Sequence, residues 1–344
     1  MLETLAGACD SNRGITFVFG VNSEQDLSYR KLYARALGFL SELRKHGLQA
    51  GDQLILLSND YPVFITAFWG AQLGGIVPVP VAVGINDQQR AKVFQIFTTL
   101  ERGYVLTTSD TVARLQQYAT MHGMEAVLEQ VLAKTVVTDM VSSENDGIDI
   151  ELHNVEPEDV ALIQFSSGST SDPKGVVLTH SNILCNIRSI TAGAAHTADD
   201  ISLGWMPLTH DMGLIGFHLS MMACGMQQIL MTTDLFSRRP ILWLSKASEH
   251  KATVLCSPNF GYKHYLKALG DKIPDNLDLS AVRLIYNGAE PISVDLCEQF
   301  LQTMQPYGLR RNTMFTVYGL AEATLVVAFP PLGEEYRSVY VDRH

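Results

Sequence analysis

The sequence predicts an α/β fold whose sheets are mostly parallel. Along its 344 residues, short apolar segments typical of buried strands alternate with longer segments of helical periodicity, and no repeat or low-complexity tract interrupts them. Hydrophobic residues make up 47% of the chain and charged residues 18%, which provides enough apolar material for a large core. We therefore expect either one large domain or two to three packed units of about 150 residues each.

The amino-terminal half shows this alternation clearly. Leu27–His46 carries apolar residues on one face at helical spacing, and Gly47 follows as a stop. The remaining segments of this half predict strands at Gln53–Ser58 and Tyr104–Thr107, and a helix within Ala126–Met140 that passes into a strand at Thr135–Thr138.

Two long stretches contain no Asp, Glu, Lys or Arg, and both resemble membrane spans at first sight. They run from Tyr61 to Ile85 and from Met212 to Thr233. Glycine, proline, histidine and glutamine interrupt them, whereas a span needs about 20 predominantly apolar residues. We interpret each stretch as a buried helix followed by a short buried strand: Val63–Leu73 then Ile76–Val81, and Ile215–Ala223 then Gln228–Met231.

The polar, acidic segment Ser142–Pro157 has no periodicity and predicts a connection between a lobe over about 1–155 and a second over about 156–330. The final residues, 331–344, contain no predicted element and are expected to begin an incomplete segment. In the second lobe the pattern predicts strands at Val160–Phe165, Val176–Leu178, Thr253–Cys256, Leu284–Asn287 and Thr313–Val317, and a helix that starts near Ser181 as its N-cap.

Composition narrows the class of protein. The hydrophobic content excludes intrinsic disorder, and the net charge of −11 argues against a nucleic-acid surface. The five cysteines are scattered without a CxxC pair, which argues against a disulfide framework or a thiolate zinc site. The amino terminus lacks the basic start and apolar run of a signal peptide. We expect a cytoplasmic protein without a membrane span.

The most informative segment is Ser166–Gly175, SSGSTSDPKG, which directly follows an apolar strand. Hydroxyl groups and the amides of a tight turn form donors suited to phosphate oxygens, and Lys174 adds a positive charge. The segment is not a Walker A loop, because Gly175 rather than Ser or Thr follows Lys174. A flexible serine-rich linker is the alternative, but apolar strands on both sides argue against it.

SSGSTSDPKGVVLTH resembles the phosphate-loop signature of the acyl- and aminoacyl-adenylate-forming superfamily, which includes acyl-CoA ligases and peptide-synthetase adenylation domains. Other motifs similar to those of the superfamily follow in the expected order. They are LSYRKLYARAL (Leu27–Leu37), WGAQLGGIVPVPV (Trp69–Val81), IYNGAEPI (Ile285–Ile292) and VYGLAEATL (Val317–Leu325). Within the superfamily, GWMPLTHDMGLIG (Gly204–Gly216), SPNFGY (Ser257–Tyr262) and YGLAEATLVVAFPP (Tyr318–Pro331) resemble fatty acyl-AMP ligases.

The resemblance implies the large amino-terminal domain of an adenylate-forming enzyme, with ATP and Mg²⁺ as cofactors and a fatty acid as substrate. The acyl group would pass to the phosphopantetheine arm of an acyl carrier protein, on the same or a neighbouring polypeptide, in lipid or polyketide/nonribosomal peptide biosynthesis. The resemblance assigns binding of the ATP phosphates to Ser166, Ser167, Gly168, Ser169, Thr170 and Lys174. It assigns binding of the adenine to Asn287, Gly288, Ala289, Tyr318 and Gly319. Glu322 would be the metal ligand, since a hard cation prefers carboxylate and phosphate oxygens.

His210 would lie near the carboxylate and the α-phosphate, with a purely structural histidine as the alternative. Asp211 is expected to be structural, because a further carboxylate would repel two anions. By motif position Met212, Phe260 and Tyr262 are the acyl-pocket residues, whereas the methionines between 221 and 231 fit a plain core as well as a tunnel.

Two positions depart from the superfamily pattern: Ser171 replaces a second glycine, and Ala321 replaces a threonine found in many relatives. An acyl-CoA ligase and a non-catalytic adenylate-binding module stay open as alternatives. By the same resemblance the chain is expected to be truncated before the small carboxy-terminal domain and its lysine, so that this fragment alone would turn over weakly or not at all.

Overall fold

The computed structural model describes residues 1–138, 150–165, 173–270, 276–339 and 341–342. A π-helix at Met212–Leu219 accompanies the α-helices α1 (Leu2–Ala8), α2 (Tyr29–Lys45), α3 (Tyr61–Leu73), α4 (Asp87–Thr99), α5 (Ser109–His122), α6 (Glu125–Ala133), α7 (His180–Gly193), α8 (Ser220–Ala223), α9 (Thr233–Arg238), α10 (Ile241–Glu249), α11 (Asn259–Leu269) and α12 (Val294–Met304). The strands are β1 (Gly14–Gly20), β2 (Ser23–Ser28), β3 (Gln53–Leu56), β4 (Val77–Pro80), β5 (Gly103–Thr107), β6 (Thr135–Val137), β7 (Val160–Phe165), β8 (Gly175–Thr179), β9 (Ile201–Gly204), β10 (Gln227–Met231), β11 (Val254–Cys256), β12 (Leu284–Asn287), β13 (Met314–Thr316), β14 (Tyr318–Gly319) and β15 (Val326–Ala328).

These elements form two compact units, and the first contains residues 1–12 and 28–184. Its centre is a parallel sheet of order β4-β3-β5-β6. Apolar side chains of the sheet and of helices α4, α5 and α6 share one core, in which Ile55, Phe94 and Val105 are at most 1% exposed. The antiparallel hairpin β7–β8 contacts β4 in this unit, and its connection contains the predicted phosphate loop.

The second unit contains residues 13–27 and 185–344. It is built on a seven-stranded sheet of order β13-β12-β11-β9-β10-β1-β2, in which the six strands from β13 to β1 are parallel. Strands β11 and β12 are buried at every position, as expected for parallel strands covered on both faces. The α/β fold with mostly parallel sheets is therefore confirmed.

Most of the predicted elements are present with small shifts of their ends. Helices α2 and α3 and strands β3, β4 and β5 lie where the patterns predict them, and β7 and β12 have the predicted bounds. All five cysteines are free thiols, in agreement with the prediction against a disulfide framework. Among the described residues, no helix is both long enough and apolar enough to cross a membrane.

Two helices differ from the expectation. The helix predicted at Ile215–Ala223 begins at Met212 as a π-helix and becomes α-helical only at Ser220. Helix α7 begins at His180, and its cap is Thr179 rather than Ser181. The Thr179 hydroxyl accepts a hydrogen bond from the Asn182 amide at 3.1 Å, and the Asn182 side chain accepts one from the Thr179 amide at 3.0 Å.

The bounds of the compact units also differ from those of the expected lobes. Strand β1, from the first 27 residues, pairs with β10 in the second unit, and the β7–β8 hairpin belongs to the first unit. Pairing between strands far apart in sequence, rather than the polar connection at 142–157, therefore determines which residues pack together.

Candidate functional site

Four of the motifs lie at one edge of the seven-stranded sheet. Strands β9, β11, β12 and β13 are parallel neighbours, so the segments that follow them leave the sheet at the same edge. In open α/β sheets, ligands bind outside the carboxyl ends of the strands. The segments that begin at this edge are those starting with Trp205, Ser257, Gly288 and Val317.

The turn after β12 presents backbone at this edge. Ala289 is exposed with a φ of 69°, in the left-handed region, whereas Gly288 before it is buried. A Cβ atom at Gly288 would lie 2.9 Å from the Val317 carbonyl oxygen, so glycine allows the ends of β12 and β13 to approach each other. The predicted use of the backbone of this turn for adenine is compatible with this placement.

The Asn287 side chain points away from this exposed backbone. Asn287 is fully buried, and its carboxamide donates a hydrogen bond to Cys297 Sγ at 3.2 Å. Burial raises the pKa of the Cys297 thiol to about 11, so the thiol stays protonated beside the amide. The Asn287 backbone oxygen accepts from the Val317 amide at 2.8 Å. The side chain of Asn287 thus binds helix α12, and its backbone oxygen joins the ends of β12 and β13.

Tyr318 and Gly319 form a short strand directly after the sheet edge. The Tyr318 side chain is 62% exposed, which leaves its ring face accessible. Strand β14 pairs with β15, and a Cβ atom at Gly319 would overlap the Leu325 carbonyl oxygen. The glycine is therefore required for the chain to turn back on itself, and this turn carries Glu322.

Glu322 lies in a 3₁₀ turn, Ala321–Ala323, and its side chain is exposed. Within the described part of the chain, its carboxylate takes part in no ion pair or hydrogen bond and is available for a cation. An exposed carboxylate of this kind fits Mg²⁺, which binds proteins through one or two carboxylates and keeps several waters. The proposed metal ligand is thus sterically accessible.

Helix α7 holds the turn that carries Glu322 through Asn186. The Asn186 carboxamide donates to the Val326 carbonyl at 2.9 Å and to the Ala323 carbonyl at 3.4 Å, and it accepts from the Val326 amide at 3.1 Å. The same helix meets Phe329 at Gly193, where a Cβ atom would overlap the phenyl ring. Asn186 was not among the residues singled out from the sequence, although an asparagine in the interior of a helix is a signal that its side chain bonds elsewhere.

His210 lies on the segment between β9 and the π-helix, and its side chain is 42% exposed. Its Nδ1 atom is 2.8 Å from Asp211 Oδ1, and the Met212 amide donates to both side chains. Asp211 therefore caps the π-helix, in agreement with its expected structural role. Within the described residues, the Nε2 atom of His210 has no hydrogen-bond partner and is free to contact a ligand.

The proposed acyl-pocket residues have different surroundings. Met212 is 5% exposed at the start of the π-helix, and Phe260 is 46% exposed at the start of α11. Tyr262 is fully buried between Trp243 and Phe300, with its ring 4.7 Å from the Phe300 ring. Burial raises the pKa of the Tyr262 hydroxyl well above its usual range. Phe260 is thus the most accessible of the three.

Glu290 connects the turn after β12 to helix α11. Its Oε1 accepts a hydrogen bond from the Phe260 amide at 2.6 Å, and the Asn259 carboxamide donates to the Pro291 carbonyl oxygen. The motif IYNGAEPI contains Glu290, but nothing in the motif distinguishes the role of Glu290 from that of its neighbours. Only the spatial arrangement identifies its partner.

Lys174 and Gly175, at the end of the predicted phosphate loop, belong to the first unit. Lys174 is exposed and stands immediately before β8. The next residue, Gly175, packs against Ile163 of the paired strand, and a Cβ atom there would lie 2.9 Å from that side chain. The other residues proposed for the ATP phosphates, Ser166, Ser167, Gly168, Ser169 and Thr170, lie outside the described residues, as does Ser171.

A second group of potential metal ligands lies on β2 and α10, away from the sheet edge that carries the motifs. Glu24, Glu249 and His250 each offer a ligand atom within 4.8 Å of the others. The Lys246 ammonium already contacts both carboxylates, at 2.6 Å from Glu24 and 2.7 Å from Glu249. A cation would have to displace this buried ammonium, so the group is an ion-pair cluster.

The geometry therefore defines an α/β fold in which the turns of the motifs follow the carboxyl ends of neighbouring parallel strands. Residues 6–341 match the family described as AMP-binding enzyme, and the chain belongs to that family.

Relatives and a solved structure agree with this assignment. A Caulobacter vibrioides protein named provisionally as an acyl-CoA synthetase is 32% identical, over 92% of this chain and 54% of its own. The medium-chain-fatty-acid–[acyl-carrier-protein] ligase JamA of Moorena producens is 31% identical, over 92% of this chain and 53% of its own. The structure of a fatty acyl-adenylate ligase from Legionella pneumophila, in complex with acyl adenylate and pyrophosphate, matches with a TM-score of 0.85. It is 29% identical, and the match covers 98% of this chain and 58% of that one. The chain spans about half the length of the curated relatives it matches.

Proposed function

We propose that this protein activates a fatty acid with ATP. An oxygen of the fatty-acid carboxylate attacks the α-phosphorus, the bond from that phosphorus to the β-phosphate oxygen breaks, and acyl-AMP and pyrophosphate form. The observation that carries the proposal is the placement of the turn at 287–289, Tyr318 and the Glu322 turn after neighbouring strands of one sheet edge.

Each chain segment has a defined part in this mechanism. The backbone of Gly288 and Ala289 and the ring of Tyr318 bind the adenine, and Lys174 with the hydroxyl-rich loop holds the phosphates that leave. His210 donates from Nε2 to an oxygen of the carboxylate or α-phosphate, which lowers the repulsion between two anions. Glu322 would hold Mg²⁺, which when bound would supply charge neutralisation for the phosphate oxygens.

In a second step, we propose, a thiol on the phosphopantetheine arm of an acyl carrier protein attacks the acyl carbonyl, and AMP leaves. The carrier-protein ligase among the relatives supports this acceptor. The relative named provisionally as an acyl-CoA synthetase favours coenzyme A as the second candidate. The free thiols of all five cysteines agree with a cytoplasmic location for these steps.

The first half-reaction is tested in the complete enzyme by fatty-acid-dependent exchange of pyrophosphate into ATP, over acids of increasing chain length. Lys174→Ala and Glu322→Ala should each lower the exchange rate about tenfold or more, which corresponds to about 1.4 kcal/mol of lost transition-state stabilisation. Glu158→Ala removes an exposed carboxylate of the first unit and is the control. Unchanged rates in both site variants would refute the assignment of the motifs.

The acceptor is tested by offering the acyl-AMP formed by the protein to coenzyme A and to a phosphopantetheinylated carrier protein in parallel. Transfer to the carrier alone supports the ligase proposed here, and efficient acyl-CoA formation replaces it with an acyl-CoA ligase. Binding of AMP without any exchange would favour a non-catalytic adenylate-binding module.

A further inference from the structure

Helix α11 receives its amino-terminal cap from another segment of the chain. Pro258 is the N-cap residue of α11 and forms no side-chain cap. The first amide groups of a helix have no partner within the helix, and they favour a negatively charged acceptor. Glu290, from the turn after β12, supplies that acceptor to the Phe260 amide at 2.6 Å.

A second hydrogen bond joins the same two segments. The Asn259 carboxamide, on α11, donates to the Pro291 carbonyl oxygen in the turn. Asn259 is 9% exposed, so the two segments exclude water around this bond. Two hydrogen bonds thus join the first turn of α11 to the turn at 287–291, and they fix the distance between these two segments.

This pair of bonds determines where the Phe260 side chain stands. The Phe260 ring packs edge-on against Trp205, with ring centroids 5.3 Å apart and planes at 83°. Gly261 allows this approach, because a Cβ atom there would overlap the indole ring of Trp205. One side of the Phe260 ring is therefore packed, and the other is the exposed surface available to a ligand.

We propose that Glu290 is a positioning residue that sets Phe260 against the acyl chain while its own turn contacts the adenine. The proposal rests on the proposed function, because it assumes that the acyl group and the adenine bind at these two segments. The Glu290 carboxylate thus joins the segment that binds the acyl chain to the segment that binds the adenine, and it fixes the distance between them. Glu290 itself touches neither the acyl chain nor the adenine.

The test uses binding, so it does not depend on turnover. The affinity of the 344-residue chain is measured by calorimetry for AMP and for a dodecanoyl-sulfamoyl adenosine, a nonreactive analogue with a sulfamate in place of the phosphate. Glu290→Ala should weaken the dodecanoyl analogue about three- to tenfold and change AMP affinity less than twofold. Glu290→Gln keeps an oxygen acceptor for the Phe260 amide and should bind the analogue like the wild-type protein.

A double-mutant cycle separates positioning from general loosening of the fold. Phe260→Ala should weaken the analogue as much as Glu290→Ala does, and adding Glu290→Ala to it should change the affinity less than twofold further. Asp295→Ala removes an exposed carboxylate from the next helix and should leave both affinities unchanged. Additive losses, or an equal loss of AMP affinity in Glu290→Ala, would overturn the proposal. A wild-type protein that binds neither compound would instead refute the proposed function.

Discussion

Replacement of Asn186 by alanine tests how the Glu322 turn is held. The substitution removes three hydrogen bonds to the backbone of β15 and of the turn, at 2.9, 3.1 and 3.4 Å. A hydrogen bond of this kind contributes about 0.5–1.5 kcal/mol net. The longest of the three bonds is weak and the site is half-buried. We therefore expect the free energy of local opening of the turn to fall by about 1–3 kcal/mol when all three bonds are removed.

This loss should appear first as local opening of the turn. The Val326 amide loses its acceptor, so its hydrogen-exchange protection should fall about fivefold to a hundredfold, because each 1.4 kcal/mol is a factor of ten. The Mg²⁺ concentration for half-maximal ATP–pyrophosphate exchange should rise several-fold. Ser189→Ala, on the same helix, removes a hydroxyl that, within the described part of the chain, bonds only to the Cys185 carbonyl of its own helix, and it should leave both quantities unchanged. Wild-type protection of the Val326 amide in Asn186→Ala would refute the reasoning.

Two further predictions concern stability. Burial, followed by the nearby Arg283, lowers the pKa of His196 from 6.5 to about 4, so the unfolded chain takes up this proton first as the pH falls. The free energy of unfolding should therefore decrease between about pH 6.5 and pH 4. In His196→Gln, which retains a hydrogen-bonding partner for Tyr286, this decrease should be smaller when urea unfolding is compared at pH 7 and pH 5, and an identical decrease would contradict the assignment. Gly319→Ala should lower the free energy of unfolding by about 1–3 kcal/mol in the same assay, because its Cβ atom would overlap the Leu325 carbonyl. Gly7→Ala adds a Cβ atom in open space, also without a positive φ, and is the control.

Sequence patterns predicted the helices and strands whose positions depend on residues close together in the chain. Helix α2 has its apolar face at helical spacing and ends before Gly47, which adopts a φ of 86°. Strands β7 and β12 are short apolar runs with clear boundaries, so burial and length were enough to place them. The fold class followed from their alternation.

The remaining features depend on contacts between distant residues. The π-helix at Met212–Leu219 has the composition of a buried α-helix, and its widened turn accompanies a close approach of Gly213 to the Pro207 carbonyl. Asn186 and Glu290 act on backbone groups more than 25 residues away, which no sequence window contains. The motifs supplied the candidate site residues by resemblance, whereas the hydrogen bonds that position them required the structure.

The pairing of β1 with β10 has a consequence for the order in which the protein forms. The Gly14 amide bonds to the Gln227 side chain across 213 residues, and Ile15 aligns with Gln228. During synthesis β1 leaves the ribosome well before β10, which follows only after most of the first unit has been made. Until then an apolar strand exposes unpaired backbone, which is a template for association with other chains. The sheet that carries the candidate site is therefore also the part of the molecule that we expect to need protection from a chaperone for longest.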